Sequence, residues 1–274
     1  MNTYNIDYSN ILGEGSYGKI YSARHIKTNE IYAVKVEDKK HDMLRKEADI
    51  ISTANKDNNP DYISCYGYYT TETNNYAILT MLGLSLKKII NQIKIMYIED
   101  VVSIIPNLIN QIYFFHKSGV IHRDIKPANF IYDTELNKLY LIDFGLSIRY
   151  EDINKENKKF TGTLNFMSIN ALKKGIPSYT DDLYSLGYMI LYLCYGQLHW
   201  AHIKYDNKET RNKKMINLKS NLSNDDLTRR FCCKRLHACP YQKALRKYFN
   251  YLDCLNNNKI NYDYLTNLFI NILH

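Results

Sequence analysis

The chain has 274 residues, of which 45% are hydrophobic and 23% charged, and 36 Lys and Arg outweigh 28 Asp and Glu to give a formal net charge of +8. This composition excludes a disordered tail, a collagen-like repeat and a coiled coil, and the length suits one large domain or two small lobes. The positive balance suits acidic partners such as phosphates, nucleic acid or acidic peptides, without choosing among them.

Tyr is abundant, at 26 residues, beside much Asn, Ile and Lys, a bias that fits A+T-rich coding better than a selected function. The six Cys are scattered. Met1 to Asn10 has neither the basic region nor the apolar core of an export signal. Reduced thiols and an intracellular setting, cytoplasm or nucleus, are therefore expected. Leu183 to Ile203 carries no charged side chain. Its strongly apolar part, Leu186 to Cys194, is far shorter than the ~20 residues of a membrane span, so a buried helix and no membrane are expected.

Asn5 to Ser22 reads as strand around a Gly-rich turn, and Ile31 to Val36 alternates as a strand should. The turn from Lys27 to Glu30 predicts an antiparallel hairpin between such runs. His41 to Ala54 reads as a helix with Leu44, Glu47, Ala48 and Ile51 on one side. Tyr62 to Tyr69 and Tyr76 to Met81 read as two further strands around the polar turn Thr70 to Asn75. Past Leu82 the texture turns helical. Val102, Ile105, Leu108, Ile109, Ile112 and Phe115 form a stripe with Pro106 inside it, which predicts a kink or a late helix start. Leu139 to Ile142 is a short apolar strand, and from Thr180 the chain reads helical to its end. The expected architecture is α+β in two lobes: a β-rich part over 1–82 and a mostly helical part over 83–274, with a short link near Thr80 to Leu84.

Residues 13–18 read GEGSYG. Alone this is a weak signal, shared by dinucleotide sites, kinases and ordinary Gly-rich hairpins. A dinucleotide site needs a helix after the loop; here a second strand follows, through Ile20. Glycines at 13, 15 and 18 let a backbone approach a phosphate. Lys35, in the strand Ala33-Val34-Lys35, would lie beneath that loop, and Glu47 is the carboxylate to fix it. Residues 122–129 read HRDIKPAN, the most specific string in the chain. Asp124 suits acceptance of a substrate hydroxyl's proton, Lys126 suits neutralisation of a transferred phosphoryl, and Asn129 supplies a hard oxygen for Mg²⁺. Asp143-Phe144-Gly145, straight after a short strand, supplies the second metal ligand.

With these motifs in order, the sequence resembles the eukaryotic protein kinases, and within them the casein kinase I family. The closer match rests on LGLSL at 82–86, LYLIDFGLS at 139–147, ENKKFTGT at 156–163, SIN at 168–170 in place of A-P-E, and DDLYSLGYMILYL at 181–193. It covers nearly the whole chain. The resemblance implies the bilobal kinase fold and transfer of the γ-phosphoryl of Mg·ATP to Ser or Thr of proteins, with ATP and Mg²⁺ as cofactors and the chain a monomer. It implies a catalytic set of Asp124, Lys126, Lys35, Glu47 and Thr163. Nucleotide would meet Leu12, Gly13, Gly15, Gly18, Ile20, Ala33, Lys35, the gatekeeper Leu79, the backbone of Thr80 and Leu82, Asn129 and Asp143, and Mg²⁺ would meet Asn129 and Asp143. Asp182 would anchor the catalytic loop, and Ile51, His122 and Phe144 would belong to a packed column.

The family holds acidic or phosphorylated substrate residues with basic side chains. Here its usual Arg after T-G-T is Asn165 and its Lys after D-F-G is Ile148. Arg123, Arg149, Lys158 and Arg211 remain as anion-site candidates. The site reads as partly dismantled, so protein substrates acidic or phosphorylated near the target are expected with a weakened need for priming. Thr161 and Ser168 are read as structural, because the family generally needs no activating phosphate, and no autoinhibitory tail of the kind several relatives carry is expected. Cys232, Cys233, His237 and Cys239 lack paired C-x-x-C spacing, so zinc is not expected. The alternatives are an ATP-binding pseudokinase scaffold, disfavoured by the survival of Lys35, Asp124 and Asp143, and an aminoglycoside-type kinase, disfavoured by the T-G-T element. Direct nucleic-acid binding is not expected.

Overall fold

The computed structural model describes residues 3–15, 18–155, 161–201, 207–229, 239–255 and 259–273. In chain order the elements are β1 (Tyr4–Gly15), β2 (Gly18–His25), β3 (Ile31–Asp38), α1 (Met43–Ala54), β4 (Cys65–Thr70), β5 (Asn74–Thr80), β6 (Leu84–Ser85), α2 (Leu86–Ile93), α3 (Ile98–Lys117), β7 (Val120–Ile121), β8 (Phe130–Asp133), β9 (Lys138–Leu141), β10 (Ile148–Arg149), α4 (Ile169–Leu172), α5 (Tyr179–Tyr195), α6 (Lys208–Asn221), α7 (Asn224–Thr228), α8 (Pro240–Asp253) and α9 (Tyr262–Leu273). They form two compact units, Met1–Leu84 with Ile131–Ser147, and Ser85–Phe130 with Ile148–His274. The first is built on a sheet and the second mostly on helices, in keeping with the α+β class that the sequence pattern predicts.

The first unit carries a five-stranded antiparallel sheet in the order β1-β2-β3-β5-β4. Ile20 and Ala77 pair with Lys35, and Leu79 pairs with Ala33. Cross-strand partners share a face, so Ile20, Ala33, Lys35, Ala77 and Leu79 line one side. The other side buries Ala23, Val34, Tyr76 and Ile78 beneath Tyr4, Ile6, Tyr32, Val36 and Tyr69. Glu37, on the same face as Lys35 two residues away, is 2% exposed. Its two carboxylate oxygens accept the Leu44 N–H at 3.1 and 3.2 Å. The start of α1 has no side-chain cap of its own, so this carboxylate fills that need and ties the helix to β3.

Two expected boundaries shift. β4 begins at Cys65 rather than Tyr62, because the buried Asn55 amide donates to the carbonyls of Asn59, Tyr62 and Ile63 and to Ser64 Oγ. Residues 59–64 are thereby held in a loop despite their strand-forming side chains. β5 starts earlier, at Asn74, because β3 runs on to Asp38 and offers partners to Asn74 and Asn75.

In the second unit α3 begins at Ile98, eight residues before Pro106, and passes through it. The late start does not occur. Val101, Val102 and Ile105 are fully buried in the turns before the proline. Three such side chains outweigh a defect of about 3 kcal/mol. α5 carries two acidic residues in its first turn, Asp181 and Asp182, and then the first part of the uncharged stretch, from Leu183 to Tyr195. It opens with a capping box between Ser178 and Asp181, and ends at Gly196 with φ +72°. Most of its residues are buried. Among the described residues no helix is long and apolar enough to cross a membrane.

A Cβ at Gly18 would lie 2.2 Å from the Val36 carbonyl oxygen on β3. That atom cannot step aside without disturbing the ladder. Gly18→Ala should therefore destabilise by about 1–3 kcal/mol, lowering Tm by roughly 2–4 °C per kcal/mol at this size. A thermal melt checks this, and an unchanged Tm would refute the close approach.

Candidate active site

The first unit assembles a lysine between two carboxylates. Lys35 Nζ donates to Glu47 Oε2 at 2.6 Å and to Asp143 Oδ1 at 3.0 Å. Glu47, 2% exposed on α1, also accepts the Phe144 N–H at 3.2 Å through Oε1. Burial pushes Lys35 toward its neutral form, but the two carboxylates outweigh it and hold the ammonium above its ordinary value. Asp143 is backbone-strained, with φ +66°, and its side chain is 44% exposed. Asp tolerates that left-handed region better than most residues.

The remaining predicted nucleotide contacts of this unit lie around the same sheet. Gly13 pairs with Ile20 and Gly15 with Gly18, and Leu12 falls in the irregular register between Ile11 and Gly13. A Cβ at Gly13 or Gly15 would meet no described protein atom closer than 3.7 Å. Unlike Gly18, these two glycines meet no close packing among the described residues. Thr80 donates its N–H to Ser64 O at 3.1 Å, so a base could be met there only by its carbonyl. The backbone N–H and C=O of Leu82 make no hydrogen bond among the described residues.

The second unit holds the rest. Lys126 Nζ donates to Asp124 Oδ2 at 2.6 Å and to Thr163 Oγ1 at 3.1 Å. Thr163 gives Asp124 Oδ1 both its N–H, at 2.9 Å, and its hydroxyl, at 2.7 Å. Asn129 Nδ2 donates to Asp124 O at 2.9 Å, with a longer contact of 3.3 Å to Oδ2. With its nitrogen turned inward, the Asn129 carbonyl oxygen accepts no hydrogen bond among the described residues. Among them no three His, Cys, Asp or Glu side chains cluster as a metal cage. Mg²⁺ needs no such cage, since it takes one or two protein oxygens and fills its shell with phosphate and water. The oxygens of Asn129 and Asp143 have the right chemistry for it.

Asp182, at the start of α5, is 1% exposed. Its Oδ2 accepts from His116 Nε2 at 2.9 Å and His122 N at 2.7 Å, and its Oδ1 from Arg123 N at 2.8 Å. His116 Nδ1 in turn meets Tyr262 Oη at 2.6 Å. Sequence reasoning finds Asp182 but misses His116, Tyr262 and Glu37. Each lies in an apolar or mixed stretch with no motif to mark it.

The anion-site candidates lie on separate elements. Arg123 is in the HRDIKPAN loop and, with Thr161 and Asp181, lines a cavity of about 40 Å³. Arg149 is on β10 and Arg211 in α6. Lys158 lies outside the described residues, as do Ser16, Tyr17, Cys232, Cys233 and His237; Cys239 is buried.

Burial alone would raise the Asp182 carboxyl, but the hydrogen bond from His116 and the interactions with His122 hold it below the usual carboxylate value. A depressed folded value means that its contribution to stability is present above about pH 4 and is lost as pH falls through that value. Asp182→Asn should cost on the order of 3 kcal/mol at neutral pH. In urea titrations the gap from wild type should shrink below about pH 4; a gap independent of pH would contradict the assignment.

A family model described as the protein kinase domain matches residues 6–244. The match takes in the glycine-rich hairpin, Lys35, Glu47, the HRDIKPAN loop, Asp143 and the buried start of α5. This chain therefore belongs to the protein kinase domain family, phosphotransferases that act on proteins.

Proposed function

We propose that the chain is an ATP- and Mg²⁺-dependent protein serine/threonine kinase of the casein kinase I type, acting as a monomer inside the cell. The observation that carries this reading is Asp124, a 5%-exposed carboxylate held from two sides by Lys126 and Thr163. A carboxylate so fixed accepts the proton of a Ser or Thr hydroxyl as its oxygen bonds to the γ-phosphorus and the bond to the ADP oxygen breaks. Lys126, already within 2.6 Å of Asp124, meets the transferred group's charge. Lys35, aligned by Glu47, holds the α- and β-phosphates. Gly13, Gly15 and Gly18 supply backbone above them, and Leu12, Ile20, Ala33, Leu79, Thr80 and Leu82 enclose the base. Asn129 and Asp143 hold Mg²⁺, which when bound neutralises phosphate charge.

The casein kinase I type rests on the sequence resemblance. It includes acceptors flanked by acidic or phosphorylated residues, met by Arg123, Arg149, Lys158 and Arg211. With Asn165 and Ile148 in place of basic residues, acidic acceptors should suffice without priming.

Positioning and charge stabilisation supply most of such a reaction. Asp124→Asn should lower kcat on casein by about 10²–10⁴-fold, while the Tm rise on adding Mg·ATP persists. Equal turnover by this variant would sink the proposal, and nucleotide binding by wild type without any transfer would favour a scaffold. Phosphoamino-acid analysis of the product tests the Ser/Thr preference, and matched peptides with and without a priming phosphate test the acceptor class.

A further inference from the structure

Lys219 lies near the end of α6 and is 5% exposed. Among the described residues no carboxylate forms an ion pair with it. Its Nζ donates instead to the backbone carbonyls of Met167, at 2.6 Å, and Asn165, at 3.2 Å. It also sits 4.2 Å from the centroid of the Tyr188 ring and 4.3 Å from that of Trp200. The Trp200 indole N–H donates to the same Asn165 carbonyl at 2.8 Å.

A buried ammonium without a counter-ion is unfavourable. Burial draws this one well below its ordinary lysine value, toward the neutral amine. An apolar side chain of similar length would avoid that penalty but would leave the Met167 carbonyl without this partner. What it holds is informative. Asn165 and Met167 stand two and four residues after Thr163, whose N–H and hydroxyl fix the Asp124 carboxylate. An acceptor hydroxyl must come within hydrogen-bond reach of that carboxylate. The segment that follows Thr163 is tied to that carboxylate through Thr163, and so lies beside the place where an acceptor hydroxyl would sit.

We propose that Lys219 is a positioning residue for the protein substrate: from inside the helical unit it clamps the carbonyls of residues 165 and 167 and so sets the backbone against which the acceptor peptide lies. The inference rests on reading Asp124 as the group that meets the acceptor.

The test compares wild type, Lys219→Met, Trp200→Phe and Asp124→Asn, with an acidic casein-derived peptide and ATP varied separately and melts recorded for each. Lys219→Met should melt within ~3 °C of wild type. Its KM for ATP should change by less than about twofold, while its KM for peptide rises about tenfold or more with kcat little changed. Trp200→Phe keeps a ring but removes the N–H, and should shift peptide KM in the same direction by a smaller factor. A folded Lys219→Met with wild-type peptide KM overturns the proposal. So does a parallel loss of Tm, kcat and both affinities, which marks a purely structural role. If Lys219→Met does not fold, Trp200→Phe decides, and an unchanged peptide KM there overturns it. Wild type no more active than Asp124→Asn would instead sink the kinase reading, and this one with it.

Discussion

A carboxylate taken out of water has to be met by donors, and the helical unit is organised around one such group. Asp182 projects from the first turn of a buried helix, and three N–H groups converge on it. Two belong to the backbone of His122 and Arg123, so the course of the catalytic loop is set from inside the core. This explains how Arg123 is kept at φ +66°, a conformation that costs a bulky residue on the order of 1–3 kcal/mol. The far side of the same turn is closed by Gly162, where a Cβ would come within 2.5 Å of the Arg123 carbonyl oxygen and φ is +114°. Asp124 follows directly, so its position is inherited from a group that never meets solvent.

The β-rich unit solves the matching problem for a cation. The two-residue period of β3 puts Ala33, Lys35 and Glu37 on one face. Glu37 fixes the start of α1 and Glu47, about one turn later, reaches Lys35. One strand thus carries both the lysine and the acid that aims its partner helix. Lys35 is held charged by two carboxylates, whereas Lys219 has none among the described residues. The first arrangement stabilises its ion; the second spends stability on geometry, which is the reason to look for a function in it.

Much of this was legible in the sequence because strong patterns and strong chemistry coincide. Alternation locates β3, and the absence of charge locates α5. HRDIKPAN, with Asp143 and Thr163, locates groups that the fold brings to hydrogen-bond distance within each unit. What was not legible depends on contacts distant in sequence. Nothing in the 55–64 region announces that the Asn55 amide will hold three carbonyls and delay β4. α6 is more instructive. Hydropathy would turn Leu218 inward and Lys219 outward, yet Leu218 is 42% exposed and Lys219 is buried one helical turn from Met215. The rings of Tyr188 and Trp200 reverse the usual preference by offering a lysine a favourable apolar face, and neither ring is near it in sequence.

The segment from Thr161 to Ser168 shows how an irregular stretch can be made accurate. Loops ordinarily give their polar groups to water and stay mobile. Here the Thr163 N–H goes to Asp124, the Asn165 carbonyl to Trp200 and Lys219, and the Met167 carbonyl to Lys219. The Ser168 hydroxyl donates to Asp181 and accepts from the Ala171 N–H. Where such a segment is ordered by phosphorylation, the added charge must recruit cations to it from nearby. In this chain the ordering group is a lysine that is already buried, and it acts on carbonyls rather than on a phosphate. Ser168 is 2% exposed with its hydroxyl committed in both directions, so a phosphate there would have to break the Asp181 contact before it could order anything. The physical logic is that of a half-buried segment held in place by hydrogen bonds to buried partners.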